Sequence, residues 1–339
     1  MQIQSPPTII DVARKAGVSK STVSRVIRGE EGTVSEEARL KVMEAVKALG
    51  YEQNAVASSM RTAQTFTVIL SIPDITNPFW PEVARGLQDV MAREGYAVVF
   101  ANSDWDSRQE RDFLRMARRN RFDGMVINPV TVTNAELLSV NIPMVLIGAQ
   151  SEFPGFDIVG SDSLTATKDA LAYLHSLGHR RIGLLLGQHA GTPSPARYKG
   201  YQDFLVTAGL PFDPDLVVAV PFEHQGGYDG MERLLALSEP PSAVLAANDI
   251  IAIGALHAAH AHQLHIPQEL SIMGIDDIYA AATMIPPLTT MAKQKYEIGT
   301  KAASFLLERL RGHYDGAPRR YLYPCRLVVR ESTGPNERS

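Results

Sequence analysis

Near the amino end, apolar positions recur at helical spacing in three short runs. Val12, Ala13 and Ala16 fit one face of a short helix, Gly17 suits the tight turn that follows, and Val23, Val26 and Ile27 give a second helix its buried side. Thr8, with Asp11 three residues on, reads as a capping box, and Ser19 as the cap of the second helix. Ser35-Glu36-Glu37 opens a third helix, with a hydroxyl cap and acids in its first turn, along which Ala38, Val42, Ala45, Val46 and Leu49 repeat. Three short helices around one small core make a helix-turn-helix headpiece.

Beyond residue 65 the pattern changes. Continuous apolar runs at 68–72, 97–101, 124–128 and 144–148 have the form of strands covered on both faces, with helical stretches at 80–93, 108–119 and 134–140 between them. The alternation then repeats, with strands at 182–186, 217–220, 243–247 and 271–275 and helices near 163–177, 197–208, 227–237 and 250–262. The expected fold class is α/β, a three-helix headpiece followed by a body of two doubly wound parallel-sheet lobes. Such sheets place ligands at the carboxyl ends of their strands.

A helix starting at Ser19 puts Lys20, Ser21, Thr22, Ser24 and Arg25 on its outer face and first turns. Short hydroxyls and cations there suit base edges and phosphates in a major groove, although a short helical hairpin with a solvated polar face has the same local pattern. Charge separates the two. The net charge of −4 conceals +2 in residues 1–65 and −6 in the remainder, and between Asp11 and Arg28 five cations (Arg14, Lys15, Lys20, Arg25, Arg28) face one anion. Positive charge gathered on the groove-reading helix is a DNA footprint.

Thr8-Ile9-x-Asp11-Val12-Ala13, Ala16-Gly17-Val18-Ser19, Thr22-Val23-Ser24-Arg25-Val26, Val34-Ser35 and Leu49-x-Tyr51-x-x-Asn54-x-x-Ala57 resemble the headpiece and hinge of the LacI/GalR (lactose-repressor) family of bacterial transcription regulators. The resemblance implies a ligand-responsive regulator, a repressor of carbohydrate-related genes. It implies binding to a palindromic operator as a homodimer, with Thr8, the second helix, Arg28 and Tyr51 on DNA. It also implies that the hinge folds when two chains meet on the duplex. There Asn54, Ala57 and Met60 fall at i, i+3 and i+6, with Met60 where the family holds a leucine lever; Gln53 replaces the usual proline and Ser58 a frequent arginine.

The rest of the chain resembles the periplasmic-binding-protein fold, in which the chain crosses between lobes near Asp162, Thr290 and Tyr323. The implied division is a headpiece at 1–50, a hinge at 51–65, one lobe at 66–162 and 292–323, the other at 163–291 and 324–332, and a tail at 333–339.

Candidate effector residues sit beside the strand ends. Pro73-Asp74-Ile75-Thr76-Asn77-Pro78-Phe79-Trp80 follows the first strand and resembles the family's ligand-side loop; Asn128 ends the third strand. Across the expected cleft are Arg197, Phe222, Asn248 and Asp276. Rings above and below, with carboxylate, amide and guanidinium around the edge, suit a sugar. Each also fits a plain role: Asn248 and Asp276 as helix caps, Trp80 and Phe222 as core. Lys293 stands where relatives carry a glutamine. With Arg197 it brings two cations to the site, for an acidic or phosphorylated sugar, or else it pairs with Asp276 and leaves the ligand neutral.

Other features change the picture less. The single cysteine, Cys325, forms no internal disulfide, no run of residues is long and apolar enough to span a bilayer, and Met1 to Pro7 lacks a basic-then-apolar signal, so the expected location is the cytoplasm with no membrane partner. His257, His260, His262 and His265 are expected on a helix surface, not as a metal site, and neither a cofactor nor a catalytic residue is expected. No phosphate-binding loop, His-Glu-x-x-His or Gly-x-Ser-x-Gly is present. The readings from other classes are a solute-binding protein or a sugar-processing enzyme on the same α/β body.

Overall fold

The computed structural model describes residues 6–27, 29, 32–52, 64–148, 153–189 and 192–337. They form two compact units, Met1–Thr65 and Phe66–Ser339.

In the first unit, α1 (Ile9–Ala16), α2 (Lys20–Ile27) and α3 (Glu36–Leu49) contribute Val12, Val23 and Val42 to one core, each fully buried. Full burial of a valine is worth roughly 1.5–3 kcal/mol, a large share for so small a core. Thr8 and Asp11 close the capping box: the Thr8 backbone N–H donates to Asp11 Oδ2 at 2.9 Å and the Asp11 N–H to Thr8 Oγ1 at 3.4 Å. Gly17 ends α1 at φ +67°, where a side chain is strained.

The second unit contains two sheets. The first lobe holds β1 (Thr67–Ile72), β2 (Ala97–Asn102), β3 (Gly124–Ile127), β4 (Met144–Ile147) and β5 (Asp157–Ser161), with α4 (Phe79–Arg93), α5 (Ser107–Arg119) and α6 (Asn134–Val140) between them. The second lobe holds α7 (Ser163–Ser176), β6 (Ile182–His189), β7 (Thr192–Pro193), α8 (Pro195–Ala208), β8 (Val217–Pro221), α9 (His224–Leu235), β9 (Ala243–Ala246), α10 (Asp249–Ala261), β10 (Ser271–Asp276), α11 (Tyr279–Thr283) and β11 (Thr289–Ala292). The chain then returns to the first lobe through α12 (Lys295–Leu310) and β12 (Arg320–Tyr323), and ends in the second with β13 (Arg326–Val328).

Strand order is β12-β5-β4-β3-β1-β2 in the first sheet, all parallel, and β13-β11-β10-β9-β6-β7 with β8 also on β6 in the second. Only β7 and β13 run antiparallel among the described residues of that second sheet. Both sheets have apolar clusters on their two faces, which is why the central strands read as unbroken apolar runs.

The structure adds elements that the apolar pattern did not single out: β5, β11, α12, and the edge strands β12 and β13. The edge strands are short and carry arginines, so they lack a buried run. β5 starts with Asp157, a buried acid that accepts bonds from Arg309 at 2.8 Å and Arg319 at 2.9 Å. Burial alone would raise the Asp157 pKa; those two guanidiniums more than offset it and hold the carboxyl below its ordinary value. α12 belongs to the first lobe because it lies directly on α4. A Cβ on Gly299 would stand 2.0 Å from the Val83 carbonyl oxygen, and one on Gly86 would stand 2.1 Å from that of Tyr296, so only paired glycines permit this approach.

The crossings between lobes are tied to one another. The Asp162 N–H donates to the Tyr323 carbonyl at 2.9 Å, and Gln294 Nε2 to the Pro324 carbonyl at 3.2 Å. The strands' carboxyl ends therefore face one another around a set of bonded connections.

Candidate functional site

The reading helix is built from its cap. Ser19 Oγ accepts from the Thr22 N–H at 3.1 Å and lies 2.7 Å from Ser21 Oγ and 2.8 Å from Thr22 Oγ1. With Val23 and Val26 turned inward, Lys20, Ser21 and Arg25 are exposed and Thr22 and Ser24 half-exposed. Arg14 pairs with Asp11 at 3.2 Å, whereas Lys15, Lys20 and Arg25 have no ion pair among the described residues. Unshared cations beside short hydroxyls are what a phosphate-lined groove selects.

Thr8 commits its hydroxyl to Asp11 Oδ2 at 2.7 Å, and Tyr51 packs half-buried against the headpiece core. Arg28, Gln53, Asn54, Ala57, Ser58 and Met60 lie outside the described residues.

In the body, five of the expected effector residues meet in a network that spans the lobes. Lys293 Nζ lies 2.8 Å from Asp276 Oδ1, with both side chains buried, and 5.2 Å from the Phe79 ring centroid. The Arg197 guanidinium lies 6.0 Å from the Phe222 ring centroid. Phe222 in turn stacks on Trp105, at 5.5 Å between centroids and 3° between planes. Trp105 and Phe79 follow strands of the first lobe; Arg197, Phe222 and Asp276 come from the second.

Other expected residues have their polar groups engaged elsewhere. Asp74 Oδ1 accepts from the backbone and hydroxyl of Thr76, at 2.8 and 2.6 Å, which holds the loop after β1 in its turn. The buried Asn77 accepts the Phe79 N–H at 3.0 Å, and so orients that ring. Asn128 Nδ2 donates to the Ile147 carbonyl at 2.7 Å.

Two expectations need correction. Trp80 belongs to the core of the first lobe, 6% exposed and edge-on to Phe79, because its place in the first turn of α4 directs it onto β1. Asn248 is buried with its Oδ1 accepting the Ile251 N–H at 2.9 Å, so its amide oxygen serves as the cap of α10.

The pattern also overlooked groups that the fold brings in. Trp105 follows β2 within Ser103-Asp104-Trp105-Asp106-Ser107, where an aromatic among polar residues at a strand end was a usable signal. Asp104 and Trp105 both take left-handed backbone, φ +47° and +58°, which turns the indole toward the second lobe. Asp249 looked like an ordinary first-turn acid. It is buried, and its oxygens accept the Thr290 hydroxyl at 2.5 Å and the Ile278 N–H at 2.9 Å. Burial first, and then the charge of Asp276, push its pKa up to about 7. Lys295, buried at the start of α12, donates to the carbonyls of Asp276 and Asp277 at 3.0 and 2.7 Å and lies 3.4 Å from Glu82 of α4. It links the end of β10 to the first lobe.

His257 meets His224 of α9 at 2.6 Å, and His262 and His265 contact Glu232 and Glu269. Among the described residues no three His, Cys, Asp or Glu side chains are arranged to hold a metal ion, and no helix is long and apolar enough to cross a membrane.

Comparison with known proteins places these features in a family. Residues 8–54 match the model for bacterial regulatory proteins of the lacI family, and residues 171–333 that for a periplasmic binding protein-like domain. The HTH-type transcriptional repressor CytR of Escherichia coli (strain K12) is 33% identical over 334 residues, 97% of each chain. A solved complex of the transcriptional regulator CelR with cellobiose superposes with a TM-score of 0.73 at 27% identity, over 96% of this chain and 99% of that one. The lac repressor dimer bound to operator and the anti-inducer ONPF shares the fold, with a TM-score of 0.86 at 24% identity over 97% and 100% of the two chains.

Proposed function

This chain belongs to the lacI family of bacterial regulatory proteins, ligand-responsive DNA-binding transcriptional regulators rather than enzymes, and from that premise we propose a repressor whose effector is a sugar. Residues 1–50 read the operator, 51–65 form the hinge, and the lobes at 66–162 with 292–323 and 163–291 with 324–332 receive the effector. Two copies bind a palindromic site in the cytoplasm, since one headpiece reads one half-site.

The observation that carries the effector half of this reading is the contact network across the lobes, Trp105 on Phe222 and Lys293 on Phe79. A ligand entering there exchanges protein-protein contacts for its own. It then favours one lobe arrangement over the other by its difference in affinity for the two. The cellobiose held by the similar CelR supports a sugar as that ligand. The CytR repressor, similar along nearly its whole length, supports repression as the outcome.

The test is sequence selection. Full-length protein is incubated with random duplexes, and the retained duplexes are sequenced and then challenged with a panel of sugars. A recovered palindrome that is released, or held more tightly, by a panel member is the expected result; retention without any sequence preference overturns it.

A further inference from the structure

Resting on the effector reading just given, we propose that the ligand is anionic, a sugar bearing a carboxylate or phosphate whose charge is met by Arg197. The carboxylates around the strand ends are already engaged by protein. Asp276 faces Lys293 at 2.8 Å, Asp277 accepts from Arg330 at 2.7 Å, Glu82 lies 3.4 Å from Lys295, and Asp74 closes its own turn on Thr76. Asp249 is enclosed and accepts from Thr290 and Ile278.

Arg197 has no such partner. Of its five N–H donors, one bond is made, from Nη1 to Ser194 Oγ at 3.0 Å, and its Nε is enclosed with no acceptor. No carboxylate ion-pairs with it among the described residues. Burial pushes its pKa down, against the pull of the Asp276 charge, so the cation is held where water does not compensate it.

Lys293 decides the sign of the site. A neutral side chain there would leave Asp276 as a counter-charge for Arg197 and as an acceptor for ligand hydroxyls. The Lys293 ammonium neutralises that carboxylate, and the guanidinium is left as the unshared charge beside Phe222. A planar fork of donors matches the oxygens of a carboxylate or phosphate, and a ligand anion completes the pairing that the chain does not supply.

Full-length protein is melted at constant ionic strength in the presence of inorganic phosphate, glucuronate, glucose 6-phosphate or glucose. A saturable rise in Tm is expected with at least one of the anions and not with glucose at the same concentration; the two sugar arms distinguish carboxylate from phosphate. Arg197→Gln is expected to abolish the rise, and Arg197→Lys, which keeps charge but loses the fork, to shift it to higher concentration. Asp276→Asn frees Lys293 and is expected to tighten anion binding several-fold, whereas a hydroxyl-accepting role for Asp276 predicts the opposite. A wild-type Tm unmoved by every anion, a rise that survives Arg197→Gln, or a larger rise with glucose overturns the inference. The last outcome leaves the sugar-effector reading intact. Loss of sequence preference in DNA retention bears on that reading and not on ligand charge.

Discussion

Trp105 of the first lobe and Phe222 of the second lie parallel, 5.5 Å between centroids and 3° between planes. The chain has two tryptophans, and the other, Trp80, is buried in the first-lobe core. A ligand-induced change in tryptophan emission is therefore expected to come from Trp105. Trp105→Phe should abolish the change while Trp80→Phe keeps it; the reverse result would remove the stack from the ligand site.

The reading helix makes a different claim. Arg25→Ala is expected to weaken operator binding by about 1–3 kcal/mol if Arg25 meets a base edge, with the cost confined to some sequences. If Arg25 meets a phosphate, the loss is uniform and the salt dependence falls by roughly one unit of slope. Effector binding, measured calorimetrically, should stay unchanged in either case.

The buried ion pair between Lys293 and Asp276 should be costly to halve. Lys293→Met leaves Asp276 charged and unpaired, with an expected loss of about 3–5 kcal/mol in urea unfolding. The double variant Lys293→Met with Asp276→Asn should recover most of that loss. Equal stability of the single and double variants would show that the pair is not coupled.

Asp249 and Asp157 tilt stability in opposite directions with pH. The Asp249 carboxyl, raised from 3.8 to about 7 in the folded chain, binds its proton more tightly there than in the unfolded chain. Its contribution is complete below pH 3.8 and is lost as pH rises toward 7. Asp157 is lowered, so its contribution is present above its ordinary 3.8 and is lost as pH falls through the folded value. Asp249→Asn is expected to flatten the decline of Tm between pH 4 and 7 without altering the acid limb. A Tm profile identical to wild type would exclude Asp249 as the titrating group.

Gly299 tests the join between α4 and α12. A methyl group there meets the Val83 carbonyl oxygen at 2.0 Å, so Gly299→Ala should destabilise the body by about 1–3 kcal/mol through overpacking. The melting of the headpiece unit should be unaffected. An unchanged Tm of the body would mean that the helices separate freely.

Much of this architecture was legible along the chain. Val12, Val23 and Val42 mark the headpiece core, and the apolar runs that became β1, β3, β4, β6, β9 and β10 are strands covered on both faces. Those signals are local, because helical and strand periodicities repeat within a few residues. β12 escaped because an exposed edge strand, Arg-Tyr-Leu-Tyr, has no inward row to announce it.

Composition and periodicity thus determined the two units, the alternating α/β order, the cationic reading helix and the cluster of candidate residues at strand ends. They did not decide which of those side chains meet. Asp157 finds Arg309 and Arg319 across 152 and 162 positions of sequence, Trp105 reaches Phe222 from the other lobe, and Trp80 turns into the core one residue from Phe79 on the cleft. Whether Lys293 serves the ligand or Asp276 also depended on distance. Charge interaction falls with separation and strengthens with burial, and both are set only when the crossings bring β10 and β11 beside the first lobe.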